Sequence, residues 1–372
     1  MKKFYTTLLF SLFILCVSAA SVERTVDDIV YSINTANNTA TVVGLKNTLM
    51  EGELVIPDKI LYNGIETRVT AIGNGSFSFC RNITRFSLPQ SITSIGKEAF
   101  SYCTSINEIS LPKGIKSISN NAFYYCKNLS SVHLPDSVKS IGDKAFELCE
   151  NLTSISLPNT LTSIGNNSFQ KCTKLSSINF PDSIKTIGRN AFSGCESLSS
   201  IELPENLTNI EAYTFYNCYS LASIDLPDSL TYIGNNAFSQ CHSLASITSR
   251  NPIPPVLGNN CFYDYYSLVY VPEGSIEAYT SAKGWSKFYY FYPIKENEND
   301  DENDENEDTD DLSSASEQSF RIAVCGHRIT IDGADSYEVY SINGLNLGQA
   351  KELPTGIYIV KVGHQTQKII IR

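Results

Sequence analysis

The chain has 372 residues, a formal net charge of −11 and 18% charged residues, a length that would accommodate two or three ordinary domains. Eleven acidic residues and no basic one lie between Glu296 and Asp311, so the rest of the chain is close to neutral. That distribution argues against nucleic acid as a partner, because the phosphate backbone is gripped by a clustered basic face.

In chain order, residues 1–20 read as a secretory signal peptide. Lys2 and Lys3 precede the apolar run Leu8 to Val17, and Ser18-Ala19-Ala20 supplies a small-residue cleavage site. Cys16 does not make this a lipoprotein signal, since Leu15 stands where a small residue is wanted. No other stretch approaches the roughly 20 apolar residues of a membrane helix. Residues 24–71 hold short apolar runs at Ile29–Ile33, Ala40–Val43, Leu54–Pro57 and Arg68–Gly73, separated by Asn and Gly turns, and predict an N-terminal β cap.

Residues 72–247 are built on a 23-residue unit. Eight cysteines from Cys80 to Cys241 and eight phenylalanines from Phe77 to Phe238 keep that interval without insertion. A fixed period between 20 and 50 residues predicts a solenoid whose coils bury a common core only when stacked. In the unit from Leu152 to Cys172 the alternation Ile155-Ser156-Leu157 predicts a short strand ended by Pro158. Leu161–Ile164 predicts a second extended piece, and Ser168–Cys172 a turn or a single helical turn. Leu152, Ile155, Leu157, Leu161, Ile164, Phe169 and Cys172 are expected to point inward, with coils about 4.8 Å apart. Glu211 stands where other units have Gly, so that position is not expected to need a positive φ.

Residues 248–292 predict an irregular last coil and a C-terminal cap. Asn251-Pro-Ile-Pro-Pro255 breaks the register, Cys261-Phe262 restores it one residue late, and Ser275 to Trp285 reads as a helix capped by Ser275. Residues 293–317 form an acidic linker whose like charges oppose collapse. Residues 318–372 contain five candidate strands, at Phe320–Val324, Arg328–Ile331, Tyr337–Tyr340, Gly356–Val362 and Lys368–Arg372, which predict a small all-β sandwich. The expected fold class is thus a β-rich solenoid of 23 residues per coil, which the resemblance given next identifies with leucine-rich repeats, followed by that sandwich.

The motif Leu-x-x-Ile-x-Leu-Pro followed by Ile141-Gly142-Asp-Lys-Ala145-Phe146-Glu-Leu-Cys149 resembles the BspA-like leucine-rich repeats, a family of bacterial and some protist cell-surface proteins, over about residues 28 to 292. Ser119 and Glu211 replace its Gly, and Ser168 and Thr214 its Ala. The terminal stretch, with Val339-Tyr-Ser-Ile-Asn-Gly344 and Leu353-Pro-Thr-Gly-Ile-Tyr-Ile-Val-Lys-Val362, resembles the C-terminal sorting domain of the type IX secretion system of Bacteroidota. That resemblance implies passage through the outer membrane with the secretion machinery as a partner.

Functional residues are expected on the outside. Two columns flank the inward strand residue: Arg85, Glu108, Ser131, Ser154, Ser177, Ser200 and Ser223, and Ser87, Ser110, His133, Ser156, Asn179, Glu202 and Asp225. They predict a flat hydrogen-bonding face on which a solenoid can bind a ligand. A third column, Phe79, Tyr102, Tyr125 and Leu148, predicts an aromatic ridge or rings packed on the next coil. Ser137, Ser183 and Ser229 follow Asp and precede an aliphatic residue, which resembles the Bacteroidota O-glycosylation signal and is also ordinary turn chemistry. The ladder cysteines project in parallel and predict buried free thiols, since a disulfide wants its Cβ atoms about 3.8 Å apart. His133, His242, His327 and His364 lie apart, and no phosphate loop, dinucleotide-binding glycine pattern or zinc signature occurs. No catalytic residue, cofactor or metal is expected. The family resemblance implies an exported, surface-displayed, non-enzymatic binding protein or adhesin, with host extracellular-matrix or cell-surface proteins or glycans as partners. An envelope scaffold without a dedicated ligand is the alternative.

Overall fold

A computed structural model describes residues 21–294 and, beyond them, 321–325, 328–332, 336–341, 347–349, 356–362 and 365–371. The expected signal peptide with Cys16, the acidic run, His327 and His364 lie outside the described residues. The chain forms two units, 1–295 and 296–372.

Six strands open the first unit: β1 (Ser21–Val26), β2 (Ile29–Asn34), β3 (Thr39–Leu45), β4 (Gly52–Val55), β5 (Lys59–Tyr62) and β6 (Ile65–Ile72). β2, β3, β4 and β6 lie where apolar runs predicted strands. β1 and β5 do not, because β1 is almost wholly exposed and shows no alternation. Asn63-Gly64, with φ of 49° and 78°, makes the tight turn from β5 to β6 that this dipeptide favours. β6 pairs antiparallel with β5 and parallel with both β3 and the first coil's Ser94–Ile95. The cap therefore closes the core and supplies a template for the first coil.

From there about ten coils follow, most of them with two short parallel strands, while the coil of Ser154–Leu157 has only the second, Ser163–Ile164. The register repeats the sequence period, as in Ile118 beside Ile141 and Ile164 beside Ile187. All seven residues expected to face inward between Leu152 and Cys172 are buried. The phenylalanine rings stack face to face along the axis, 5.2 Å apart and 1° from parallel for Phe100 and Phe123. Between Phe and Cys the chain turns without a helix, through a left-handed residue such as Tyr125 at φ 60° or Lys171 at φ 59°. A second left-handed residue falls two positions after the glycine, at Lys144, Asn167 and Asn190. Gly142, Gly165 and Gly188 are not at positive φ, in line with Glu211 at that place, but space constrains them. A Cβ on Gly165 would sit 2.6 Å from the backbone nitrogen of Asp143 in the preceding coil.

At the far end, Tyr232 pairs with Val256 and Ile233 with Leu257, which is the expected late return, and Phe262 stacks on Phe238 at 5.5 Å. The helix is shorter than the sequence predicted. α1 spans Ile276–Ser281 only, and Ser275 stands at its N-cap without a side-chain cap bond. Ala282 turns extended, Gly284 adopts φ 89°, and Trp285–Lys287 is a separate 3-10 turn. The break lets Trp285 enter the core, where its Nε1 donates to the Pro255 carbonyl at 2.8 Å. Strands Leu268–Val271 and Tyr290–Pro293 extend the sheet to its end.

The second unit has strands at all five expected places. Arg321–Cys325 pairs with Arg328–Asp332, and Glu338–Ser341, Gly356–Val362 and Gln365–Ile371 form an antiparallel sheet. Ile329, Val339, Tyr358, Val360 and Ile369 make its core.

Candidate functional site

The first strand of each coil contributes one buried residue between two outward ones, so the two polar columns lie side by side on one β-face. Of the fourteen residues expected there, Ser131 and Asp225 are half-buried and the others exposed. The pairing register places Glu108 between Arg85 and Ser131, and sets Ser110 beside His133, Ser177 beside Ser200 and Asn179 beside Glu202. Arg85 and Glu108 form an ion pair. Asp225 is held by Arg250, whose Nε and terminal nitrogen donate to its carboxylate at 3.0 and 2.6 Å. Such largely solvated pairs contribute little stability; they offset the charges of Glu108 and Asp225, while Glu202 between Asn179 and Asp225 makes no ion pair among the described residues. Sequence reasoning missed Arg250; the signal was a basic residue one coil after an acidic one, hidden by the register break that follows it.

From Ser154 to Asn179 the face is uncharged and its strand ladder is open. One sheet ends at Ser131–His133 and the next begins at Ser177–Asn179. Ser154–Leu157 lies between them without a strand pairing on either side, although Thr153 N still donates to Ser130 O at 3.4 Å and Ser176 N to Thr153 O at 3.2 Å. A depression of 270 Å³ follows, lined by Ser154, Ser156, Ser177 and Asn179 above the buried Ile155 and Ile178. Hydroxyls and a carboxamide, each donor and acceptor, thus stand beside main-chain groups of Ser154–Leu157 that have no strand partner among the described residues.

The other expected sites behave differently. Phe79 stacks on Tyr102 at 4.6 Å, Tyr102 lies 4.9 Å from Tyr125, and Arg81 and Lys127 cover Phe79 and Tyr125. This column is stacked ring on ring and cation on ring, with Phe79 still exposed at its start. Ser137 donates to the carbonyls of Lys113 and Ile115, Ser183 to that of Leu161, and Ser229 to those of Glu205 and Leu207. These three hydroxyls therefore pin each turn to the coil before it.

All nine cysteines from Cys80 to Cys261 are buried and free. The seven from Cys103 to Cys241 each donate a thiol to the carbonyl of the phenylalanine 26 residues earlier, as Cys172 does to Phe146 at 3.2 Å. Burial pushes the Cys80 thiol up to about 11 and those of Cys241 and Cys261 up to about 12. Thiols so protonated are poor nucleophiles. Cys261 occupies the place of Ala237 rather than that of Cys241, and bonds to the Gly234 and Gly258 carbonyls. Among the described residues no His, Cys, Asp and Glu gather in a group that could hold a metal.

A second ladder was not foreseen. Asn120 Oδ1 accepts from Asp143 N, Asp143 Oδ1 from Asn166 N, and Asn166 Oδ1 from Arg189 N, at 3.1, 2.7 and 2.9 Å. The clue was an Asn or Asp after the glycine in several coils.

Parallel strands one coil apart, a stacked phenylalanine core and outward polar columns define a leucine-rich repeat solenoid. The BspA type leucine rich repeat region matches in 6 copies over residues 70–195 and 162–275, more than half of the chain, and the chain belongs to that family. It is similar to the solved structure of a leucine-rich repeat protein from Bacteroides ovatus, with 29% identity and a TM-score of 0.61, over 73% of this chain and 76% of that one. The T. pallidum leucine rich repeat protein is 26% identical, with a TM-score of 0.43, over 60% of this chain and 91% of that one. A leucine rich cell surface protein from Faecalibacterium prausnitzii is 20% identical, with a TM-score of 0.32, over 75% and 96%. No curated protein matches the chain.

Proposed function

We propose that this chain is an exported, surface-displayed, non-enzymatic binding protein, an adhesin whose β-face engages a host matrix protein, a cell-surface protein or a glycan. The observation that carries this reading is the uncharged, opened middle of the face at Ser154, Ser156, Ser177 and Asn179. Extended solenoid faces bind along several repeats at once, and hot spots form where partner groups can be fully paired. Membership in the BspA type family supports a repeat protein that works through binding. The signal-like residues 1–20 and the sorting-domain resemblance of residues 318–372 support export and display, with the type IX secretion machinery as the partner in transit.

Residues 21–295, screened against immobilised extracellular-matrix proteins and a glycan array, are expected to bind at least one. Replacing Ser154, Ser156, Ser177 and Asn179 together by Lys should abolish that binding, with each change shifting stability by no more than about 0.5 kcal/mol. Unaltered binding by the quadruple variant would move the site off this face, and silence in both screens would favour a scaffold. Deleting residues 318–372 should trap the protein in the periplasm, and normal display of the truncated chain would refute the sorting role.

A further inference from the structure

The two ends of the β-face are finished differently. At the C-terminal end the last strand is Tyr290–Pro293. Ile294 N donates inward to the Val271 carbonyl at 2.8 Å, and successive peptide groups of a strand point to opposite sides, so Phe291 and Pro293 face outward. Proline has no N–H to offer there, which blunts that edge. At the N-terminal end the last strand is β4, which pairs with Ile83–Ser87 alone. Ile56 N donates inward to the Ser87 carbonyl at 2.9 Å, so by the same alternation Glu53 and Val55 turn both N–H and C=O outward. Among the described residues nothing bonds to those groups.

The side chains around β4 are not those of a protected edge. β1 and β5, the outer strands of the cap sheet, carry Glu23 with Arg24 and Lys59. β4 has no Lys or Pro, and Val55 and the preceding Leu49 are 60% and 74% exposed. Its charge is one-sided. Glu53 lies beside Arg85 in the pairing register, but Arg85 is engaged by Glu108. Neither Glu51 nor Glu53 has an ion pair among the described residues. An incoming strand therefore meets free donors and acceptors, an apolar side chain and carboxylates without a counter-charge. A second copy of β4 is disfavoured as the occupant, because it would bring the same carboxylates to an edge that is already acidic.

We infer that β4 takes up a short extended peptide carrying a basic residue, added as a further strand of the β-face. Main-chain bonds from Glu53 and Val55 supply the affinity, and alternate side chains of the peptide supply the choice. The peptide residues opposite Glu53 and Val55 are two apart and on one face. One is Lys or Arg against Glu53, and the other is aliphatic against Val55.

The full chain is titrated with a fluorescent peptide, acetyl-Thr-Val-Thr-Lys-Thr-Val-Thr-amide, which sets Lys two residues from Val in both directions. Anisotropy should rise to saturation, and amide exchange at Glu53 and Val55 should slow about tenfold in the bound chain. A peptide with Glu in place of Lys should bind about tenfold more weakly, and a fully N-methylated one should not bind. Val55→Pro removes an outward N–H that the fold itself does not use; it should melt as the unaltered chain does and bind about tenfold more weakly. Glu53→Lys should invert the preference, so that the Glu peptide binds better than the Lys peptide. The quadruple lysine variant of the β-face should bind the peptide unchanged, which separates this edge from the site at Ser154–Asn179. Failure of the Lys peptide to bind overturns the proposal, as does equal binding by the N-methylated peptide or full affinity in a correctly folded Val55→Pro chain. A chain that pairs with itself through β4 and ignores the peptide overturns it too.

Discussion

The cysteine column and the outer β-face column are each one residue repeated every 23 positions, yet the first holds Cys at all eight places from Cys80 to Cys241 while the second runs from Arg85 through Glu108 to serines. The difference follows from what each side chain meets. A ladder thiol fills a small buried space and donates to a carbonyl in the coil before it, so a replacement must match volume, polarity and direction together. A face residue meets water and its own kind one coil away. Uniformity in this solenoid therefore reports stacking, and the positions free to vary are the ones from which a specific surface can be made.

Alkaline titration strains the uniform side of this comparison hardest. The ordinary thiol value is 9.0, and burial raises that of Cys80 to about 11 and that of Cys241 to about 12, with the other ladder thiols also raised. Above pH 9 the unfolded chain loses thiol protons that the folded chain keeps. Stability is therefore fully present below pH 9 and falls as pH rises toward the folded values, by up to about 1.4 kcal/mol per pH unit for each thiol. With nine such groups, urea midpoints followed by circular dichroism should drop steeply between pH 9 and 11. A midpoint flat across that range would mean that the thiols are not buried as described.

The glycine column stands between the two extremes, since it varies at Ser119 and Glu211. Ser119 is held there by a hydroxyl that donates to the Ile95 carbonyl at 2.6 Å. At Gly165 a Cβ would meet the previous coil's backbone at 2.6 Å, so Gly165→Ala should cost about 1–3 kcal/mol by overpacking. Gly194 has a different reason for being glycine, a φ of 74° at a place that Lys171 and Asn217 also fill in neighbouring coils. Gly194→Asn should change stability by no more than about 0.5 kcal/mol, because Asn tolerates that conformation. Thermal melts that reverse this order would show that conformation, not space, governs the column.

The period made the solenoid and its inward set legible, because a core shared between coils forces the same volume at the same offset. The five C-terminal strands were legible through alternation and turn residues. β1 carried no signal, since Ser21–Val26 buries almost nothing. The helix was overread because Gly284 breaks it while Trp285 behind it looks like a continued apolar face. On the β-face the columns were visible but the open ladder at Ser154–Leu157 was not, as these residues match those of coils that do pair. Cysteines read as small apolar filler proved to be donors as well, a role set by the carbonyl they face.

That second role supports the finest test of the comparison. The Phe146 carbonyl accepts from Cys149 N at 3.2 Å within its own coil and from the Cys172 thiol of the next at 3.2 Å. Cys172→Ala removes the second bond without leaving the carbonyl unpaired, so the expected loss is about 1 kcal/mol. Cys172→Ser keeps a donor in nearly the same place but buries a more polar group. If the thiol served only as filler, Ser would be the worse replacement, since a buried hydroxyl costs more than a methyl unless it is bonded. With the inter-coil bond contributing, Ser should equal or exceed Ala in denaturant midpoint. Ser clearly below Ala would return the cysteine column to simple packing, and its uniformity would then rest on volume alone.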